Sequence, residues 1–261
     1  MAASRIPLLI LGRKGAPGER LLARALPEAP LQTCQSVDEA WHLVITSRVS
    51  VFACHTHDAA GLGTESLIAK VLDEFPDVTT IGVASRVSTD ASVLLRFVRT
   101  GIHALLFSDG HLPLLIARRT ITGAIVRCAN RSTWRRLSSA VPSRARGLVA
   151  YGLHSAHQPL SVDDAAHALG VTRKTLAQRC AHARTPAPQQ LLGWCRLLAV
   201  AALLEDPDRP VEQIARDLGF PDGAALRNQL RRYTGHTPGS LRHAGATTET
   251  LRQFRQVLKA P

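Results

Sequence analysis

The sequence predicts two domains, an α/β domain in the N-terminal half and an all-α domain in the C-terminal half. The chain has 261 residues, 45% of them hydrophobic, which is long for a single small domain and enough to form substantial cores. Short apolar runs alternate with helical patterns up to residue 131, and strand patterns are absent beyond residue 144. We therefore expect domains at 1–131 and 144–244, a linker at 132–143 and a C-terminal helical tail at 245–261.

The N-terminal half contains five short apolar runs, each followed by a longer helical pattern. The expected strands are residues 7–11, 31–34, 49–53, 80–83 and 104–107. The expected helices are residues 18–25, 37–47, 64–74, 90–100 and 112–130. Strands joined by helices of this length form a parallel sheet that is covered on both faces. The pattern thus predicts a flavodoxin-like (βα)5 fold. Residues 132–143, with Pro142 and several Ser and Arg residues, interrupt it and predict the linker.

One motif occurs twice in the C-terminal half, as AAHALGVTRKTL (165–176) and IARDLGFPDGAAL (214–226). Each copy reads as a short helix, a Leu-Gly-apolar turn and a second helix with a polar face. The repetition predicts an all-helical domain with two helix-turn-helix units. An apolar helix at 188–205 lies between them and spans roughly 27 Å, so it could hold the units about one turn of DNA apart.

In the first copy, Ser161 and Asp164 are expected to form a capping box, and Gly170 to end the helix in a left-handed conformation. The residues expected to face inward are Ala165, Ala168, Leu169, Leu176 and Cys180. The second helix, at about 172–183, then exposes long donors and cations that can reach base edges and phosphates. These exposed residues are Arg173, Lys174, Gln178 and Arg179.

The second copy begins at Pro210, a favoured residue in a first helical turn. The residues expected to face inward are Ile214, Ala215, Leu218, Leu226, Leu230 and Tyr233. Its second helix covers about 223–233. This arrangement leaves a polar and cationic face to solvent or DNA, formed by Arg227, Asn228, Arg231 and Arg232.

The order and spacing of these motifs resemble the AraC-type DNA-binding domain over about 100 residues, 144–242. The resemblance rests on LSVDDAAHALGVTRKTL, the P-x-Q-Q-L-L-x-W-x-R-L segment from Pro188, the IARDLGF block and RRYTGHTPGSLR. It implies that Arg231 faces phosphate and that the following residues face bases: Arg173, Lys174, Ala177 and Gln178 in the first unit, and Gly223, Ala224, Ala225 and Asn228 in the second. The second unit departs from the family, because Pro221 stands where a capping Ser is common and Gly-Ala-Ala replaces larger polar side chains. Base recognition is therefore expected mainly from the first unit.

The N-terminal pattern resembles a response-regulator receiver domain without its chemistry. That family places an acidic pair after strand one, an Asp at the end of strand three, a Thr or Ser after strand four and a Lys after strand five. The corresponding positions here are Gly12-Arg13, Cys54, Ala84-Ser85 and Ser108. Without carboxylates or the Lys, neither Mg²⁺ nor a phosphoryl group can be stabilised. We expect a phosphorylation-independent pseudo-receiver with no phosphoacceptor.

Two other groups of residues in this half resemble ligand-binding sites. Gly12, Gly15 and Gly18 could cradle a phosphate, but the spacing is that of an ordinary glycine-rich turn. The group Cys54, His55, His57 and Asp58 could hold a metal, yet such a run on one loop rarely encloses an ion, and Cys54 is expected to pack as a small hydrophobic residue. The five cysteines are widely spread without a CxxC pair. No metal, cofactor or disulfide framework is expected.

The charge balance indicates a polyanionic partner. The formal net charge is +12, and residues 132–261 carry 18 basic against 9 acidic residues. No catalytic arrangement can be assembled by motif, and no signal peptide or membrane-spanning segment is apparent, so we expect a cytoplasmic bacterial transcription regulator rather than an enzyme. Its expected partner is double-stranded DNA, with RNA polymerase as a further candidate.

The role of the N-terminal half stays open between a dimerisation or partner-binding platform and a small-molecule sensor. A homodimer would use apolar residues around strand five, namely Leu94, Leu95, Val98, Leu105 and Leu115. The remaining alternative for the whole chain is an adaptor protein that binds DNA weakly.

Overall fold

The computed structural model describes residues 5–87, 89–109 and 112–259. The chain divides into two compact units, residues 1–128 and 129–261. We call them the sheet unit and the helical unit.

The sheet unit contains a parallel five-stranded sheet in the order β2-β1-β3-β4-β5. Its strands are β1 (Arg5–Leu11), β2 (Leu31–Cys34), β3 (Arg48–His55), β4 (Thr79–Ala84) and β5 (Ala104–Phe107). The helices that alternate with them are α1 (Pro17–Ala25), α2 (Val37–Thr46), α3 (Glu65–Glu74), α4 (Ala91–Arg99) and α5, which begins at Leu114. This strand order is that of flavodoxin-like folds, so the fold expected from the sequence is confirmed.

Both faces of the sheet are covered, as a parallel sheet requires. Along β1 the side chains alternate: Leu9 and Leu11 join the core on one face, and Leu8 and Ile10 join the core on the other. All six residues of β4 are buried. The continuous apolar runs of the sequence therefore mark strands that are buried on both sides.

The helix expected to end at residue 130 is longer than predicted and includes the first six residues of the expected linker at 132–143. Helix α5 continues without a break from Leu114 to Leu137. Its polar Ser and Arg residues suggested a break, but Asn130, Thr133 and Leu137 are buried at helical spacing. The division between the two units falls inside this helix, after Cys128.

The helical unit is built around α9 (Pro188–Leu204), which has 13 of its 17 residues buried. Helices α6 (Ser143–Ser155), α7 (Val162–Ala168) and α8 (Arg173–His182) precede it. Helices α10 (Val211–Asp217), α11 (Gly223–Thr234), α12 (Pro238–His243) and α13 (Ala246–Lys259) follow it. A helix hydrophobic on nearly all sides must lie at the centre of a packed unit.

Helix α13 occupies the segment expected as a C-terminal tail, and it belongs to the core of the helical unit. Its residues Leu251, Phe254 and Leu258 are buried in the same cluster as residues of α6, α8 and α9. The Phe254 ring stacks on Trp194 of α9, with 5.5 Å between the ring centroids. The amphipathic pattern of this segment thus reflects packing within the unit.

Candidate nucleic-acid interface

The two copies of the repeated motif form helix pairs that turn in the same way. In the first, Gly170 has φ +63°, and the Val171 amide donates to the Ala166 carbonyl at 3.0 Å. In the second, Gly219 has φ +68°, and the Phe220 amide donates to the Ala215 carbonyl at 2.8 Å. Both turns are Schellman-type helix ends, which need a residue that tolerates the left-handed region. The repeated sequence therefore encodes a repeated local structure.

Helix α7 differs from expectation in two details. The Ser161 hydroxyl accepts from the Asp164 amide at 3.0 Å and donates to the Asp164 carboxylate at 2.5 Å, so the two side chains bind each other instead of forming a reciprocal capping box. Ala168, expected to face inward, is exposed, and Ala166 is buried in its place. A helix of only seven residues gives too short a pattern to fix its buried face from the sequence.

Helix α8 is capped by Thr172, whose hydroxyl accepts from the Thr175 amide at 3.1 Å. Leu176 and Cys180 anchor it in the core, as expected. The opposite face is open to solvent and carries all of the residues expected there: Arg173, Lys174, Ala177, Gln178 and Arg179. Arg173 lies 3.2 Å from the Asp163 carboxylate. An exposed ion pair of this kind contributes little to stability and can be exchanged for another anion.

Helix α11 begins one residue later than the family pattern implies. Its cap is Asp222, whose carboxylate accepts from the Ala225 amide at 2.7 Å, so the helix has a side-chain cap although Pro221 stands at the usual position of Ser. Gly223, which the resemblance places against the bases, is buried, and an added Cβ would lie 2.8 Å from Glu212 Oε1. That position therefore does not present a side chain to a partner.

The remaining residues expected on α11 form an exposed face with one exception. Ala224, Arg227, Asn228 and Arg231 are exposed, whereas Ala225 is half-buried. Arg227 contacts the Glu212 carboxylate at 2.7 Å and lowers the pKa of that group. The surface of α11 is thus cationic and has few large polar side chains near its N-terminus, in line with a minor role in base recognition.

The partners of two residues that hold the second unit in place, Arg196 and Tyr233, were not identified from the sequence. Arg196 of α9 donates to the Leu218 carbonyl at 2.8 Å, and its guanidinium lies 4.2 Å from the centre of the Phe220 ring. Tyr233 of α11 packs edge-on against Trp194, close to Gly193, where any Cβ would collide with the tyrosine ring. Trp194 and Arg196 belong to the segment from Pro188 that the sequence analysis quoted. Their contacts could not be predicted, because the partner residues lie more than twenty positions away along the chain.

A buried ion pair also lies in the second unit. Arg209 and Asp217 are 3.0 Å apart, with side chains 5% and 3% exposed. Gln213 donates to the other carboxylate oxygen at 2.8 Å, and Arg242 of α12 donates to the carbonyl of Arg209. The network connects three parts of the second unit: the segment before α10, the end of α10, and α12. It therefore stabilises the helices that precede and follow α11.

In the sheet unit, the positions that the receiver resemblance aligns with a phosphorylation site are occupied by packed side chains of this chain. Cys54 is fully buried, which raises the pKa of its thiol. The His55 ring fills the space between Gly12 and Gly18, and an added Cβ at either glycine would approach it within 2.8 Å. This packing explains two glycines of the Gly12, Gly15, Gly18 series, while Gly15 adopts φ +75° in the turn.

The loop after β4 is held by a carboxylate that the sequence did not single out. Asp109 accepts hydrogen bonds from the Arg86 amide at 2.7 Å, the Ser85 hydroxyl at 2.7 Å and the Val87 amide at 2.9 Å. These donors hold the pKa of Asp109 at about 2. The hydroxyl of Ser85 is therefore already hydrogen-bonded to a carboxylate of this chain, that of Asp109.

The residues considered as a metal site do not converge. Asp58 accepts from the Ala60 and Leu62 amides, both at 2.9 Å, and shapes the loop after β3. Within the described part of the chain, no three residues of the types His, Cys, Asp and Glu are grouped so that they could hold a metal ion. None of the helices described between residues 5 and 259 is both long and apolar enough to cross a membrane.

Comparison with known proteins gives one domain match. Residues 165–244 match the model of a helix-turn-helix domain. No curated protein matches the chain.

Two solved structures resemble the chain at low identity. One is a response regulator protein from Burkholderia pseudomallei with a phosphorylated aspartic acid, calcium ion and citrate: identity is 18%, the match covers 66% of this chain and 96% of that one, and the TM-score is 0.37. The other is RcsB from Salmonella enterica serovar Typhimurium bound to promoter rprA in the presence of phosphomimetic BeF3−: identity is 11%, coverage is 72% and 98%, and the TM-score is 0.35.

The domain match covers both repeated motifs, from α7 to the end of α12. Its limits enclose the two Schellman-type turns and the exposed faces of α8 and α11. Residues 165–244 of this chain therefore form a helix-turn-helix domain of the AraC type.

Proposed function

We propose that this protein is a sequence-specific DNA-binding transcription regulator whose two helix-turn-helix units enter successive major grooves of one duplex. The proposal rests on one observation: two matched helix pairs pack on the same central helix, and each exposes a polar, cationic face. Helix α9, with 17 residues, is about 25 Å long. That length is comparable with one turn of DNA, about 34 Å.

The exposed side chains suggest a division of labour between the units. Arg173, Lys174 and Gln178 on α8 are long donors of the kinds that recognise guanine and adenine edges, and Ala177 could contact a thymine methyl group. On α11, Arg227 and Arg231 are suited to phosphates, while Ala224 and Asn228 offer few base contacts. The chain would act by binding, in the bacterial cytoplasm where its DNA lies, with RNA polymerase as the further partner that control of transcription implies.

Base readout by α8 can be separated from phosphate contact by α11. We expect Arg173→Ala with Gln178→Ala to relax the preferred sequence at one half-site, with a loss of discrimination of about 1–3 kcal/mol per bidentate contact. Arg231→Ala should instead weaken binding to all duplexes alike and reduce the salt slope by about 0.9. The measurement is selection of binding sites from random duplexes by the full chain, followed by titrations at several salt concentrations. If neither kind of change alters affinity or preference, the assigned faces are wrong.

For the sheet unit, we favour control through dimerisation that is independent of phosphorylation. Four large apolar side chains flank the edge strand β5, where backbone groups are also unpaired by the sheet. They are Leu95 (59% exposed) and Val98 (45%) on α4, and Leu115 (62%) and Ile116 (51%) on α5. Leu94 and Leu105, considered with them from the sequence, are half-buried. A small-molecule sensor in this unit is the alternative.

We expect the full chain to dimerise and the double variant Leu95→Asp, Leu115→Asp to be monomeric at the same concentration, because a charge inside an apolar interface is left without a partner. Sedimentation or light scattering measures the difference. The matched control is Leu62→Asp, which changes an equally exposed leucine (61%) in the loop after β3 and should leave the dimer intact. A wild-type chain that is monomeric at every concentration would contradict dimerisation, and a thermal-shift screen for ligands would then test the sensor.

A further inference from the structure

The helical unit carries a cationic surface that the two recognition helices do not account for. Between residues 110 and 162 the sequence contains eight Arg residues and no Asp or Glu. Five of these arginines belong to the helical unit, all exposed and all N-terminal to the matched domain: Arg131, Arg135, Arg136, Arg144 and Arg146. A segment of this length that contains no acidic residue is unusual, since protein surfaces normally mix both signs.

One of these arginines is continuous with the exposed face of α8. Arg144 of α6 and Arg179 of α8 line the same groove, which has a volume of about 320 Å³. Ser143, Gly147 and the leucines Leu148, Leu169 and Leu176 complete its walls. We call this feature the Arg144–Arg179 groove. Arg179 directly follows Gln178, so a duplex seated on α8 would pass beside it.

The two guanidinium groups of the groove keep their charge uncompensated. In the described part of the chain, neither Arg144 nor Arg179 forms an ion pair, whereas Arg173, Arg227 and Arg252 each pair with a carboxylate. The groove walls contain no acidic residue. Guanidinium groups that line one groove without a counter-ion favour an anion that can accept paired N–H bonds, as phosphate does.

Gly147 is an exposed position in the wall of this groove. Gly147 lies one turn after Arg144, and the nearest atom to an added Cβ there is Leu169 Cδ2, at 3.6 Å, an ordinary contact. Side chains at position 147 would therefore project into the groove without disturbing the fold. This position offers a way to change the charge of the groove while the arginines stay in place.

We infer that the Arg144–Arg179 groove binds the DNA backbone, as a phosphate clamp beside the half-site that α8 reads. The inference rests on the proposed function and extends it, because it assigns α6, which precedes the matched domain, to the DNA footprint. An acidic protein surface is the other class of partner, but the groove is continuous with α8, and this favours the phosphates of the duplex that α8 contacts.

The test measures binding of the full chain to its selected duplex and to a mixed-sequence duplex between 50 and 200 mM salt. Arg144→Ala should weaken binding to both alike and reduce the salt slope by about 0.9, so that the ratio of wild-type to variant affinity changes about threefold over this range. Gly147→Glu should weaken binding on the order of tenfold at 50 mM salt relative to Gly147→Gln, its neutral match. Lys259→Ala, which removes an exposed charge at the end of α13, should have no effect.

The outcomes separate this inference from the proposed function. If the wild-type chain prefers no duplex over random competitor, the proposed function itself fails. If the α8 variants lose base preference while Arg144→Ala and Gly147→Glu bind DNA as their controls do, the clamp alone is overturned. Normal DNA binding by these groove variants combined with impaired transcription would assign the groove to a protein partner, and would likewise overturn the clamp.

Discussion

Replacing Asp217 with Ala is expected to lower the free energy of unfolding of the helical unit by about 3–5 kcal/mol. The substitution removes the carboxylate that lies 3.0 Å from the buried Arg209 guanidinium in the wild type. It also removes the acceptor of the Gln213 amide. Losing a buried carboxylate at this distance from a cation is costly because the interior screens charge far less than water does.

This loss can be measured by urea denaturation with tryptophan fluorescence. A Trp41→Phe background restricts the signal to Trp134 and Trp194, both in the helical unit. Arg227→Ala is the matched control, since it breaks an exposed pair and should cost less than about 1 kcal/mol. The double variant Arg209→Met, Asp217→Leu, which removes both charges, should be more stable than Asp217→Ala.

A cost for Asp217→Ala no greater than that of the surface control would mean that water reaches this pair in solution. The expected loss also has a functional side. Arg242 of α12 donates to the carbonyls of Pro207 and Arg209, so the same network holds α12 and the segment before α10. Weakening it should reduce DNA binding through the second unit before the whole chain unfolds.

The features that the sequence predicted well are those determined by nearby residues. Both helix-turn-helix units were located because a left-handed glycine, an apolar plug and a capping residue lie within a few positions of each other, as at Gly170, Val171 and Thr172. The sheet was predicted for a similar reason, since each strand that is buried on both faces is a short apolar run between helical patterns. Hydrophobic periodicity and the residues that cap helices or form turns are local signals in the sequence.

The features that were missed depend on contacts between distant parts of the chain. Gly12 and Gly18 were assigned to an ordinary glycine-rich turn, but their glycine requirement comes from the ring of His55, at the end of β3. The end of α5 was misplaced because its Arg residues are exposed, whereas Thr133 is buried and Leu137 joins a core that forms only in the folded unit. Arg144 and Arg179 are 35 positions apart and share a groove only through the packing of α6 and α8. The periodicity of a sequence carries no information about contacts between residues so far apart in the chain.

Phe254→Ala should be nearly as destabilising as the loss of Asp217. Its ring is fully buried and stacks on Trp194, which in turn contacts Tyr233 of α11. Removing a large buried aromatic side chain typically costs about 3–5 kcal/mol, whereas Phe254→Leu, which fills most of the space, should cost much less. The same denaturation assay measures both. Because Trp194 would lose support on one side, we also expect the Arg231-dependent part of the salt slope to diminish in Phe254→Ala. Unchanged stability in that variant would mean that α13 is detached from the core in solution, and α11 would then have to be positioned by Arg196 and the Arg209–Asp217 network alone.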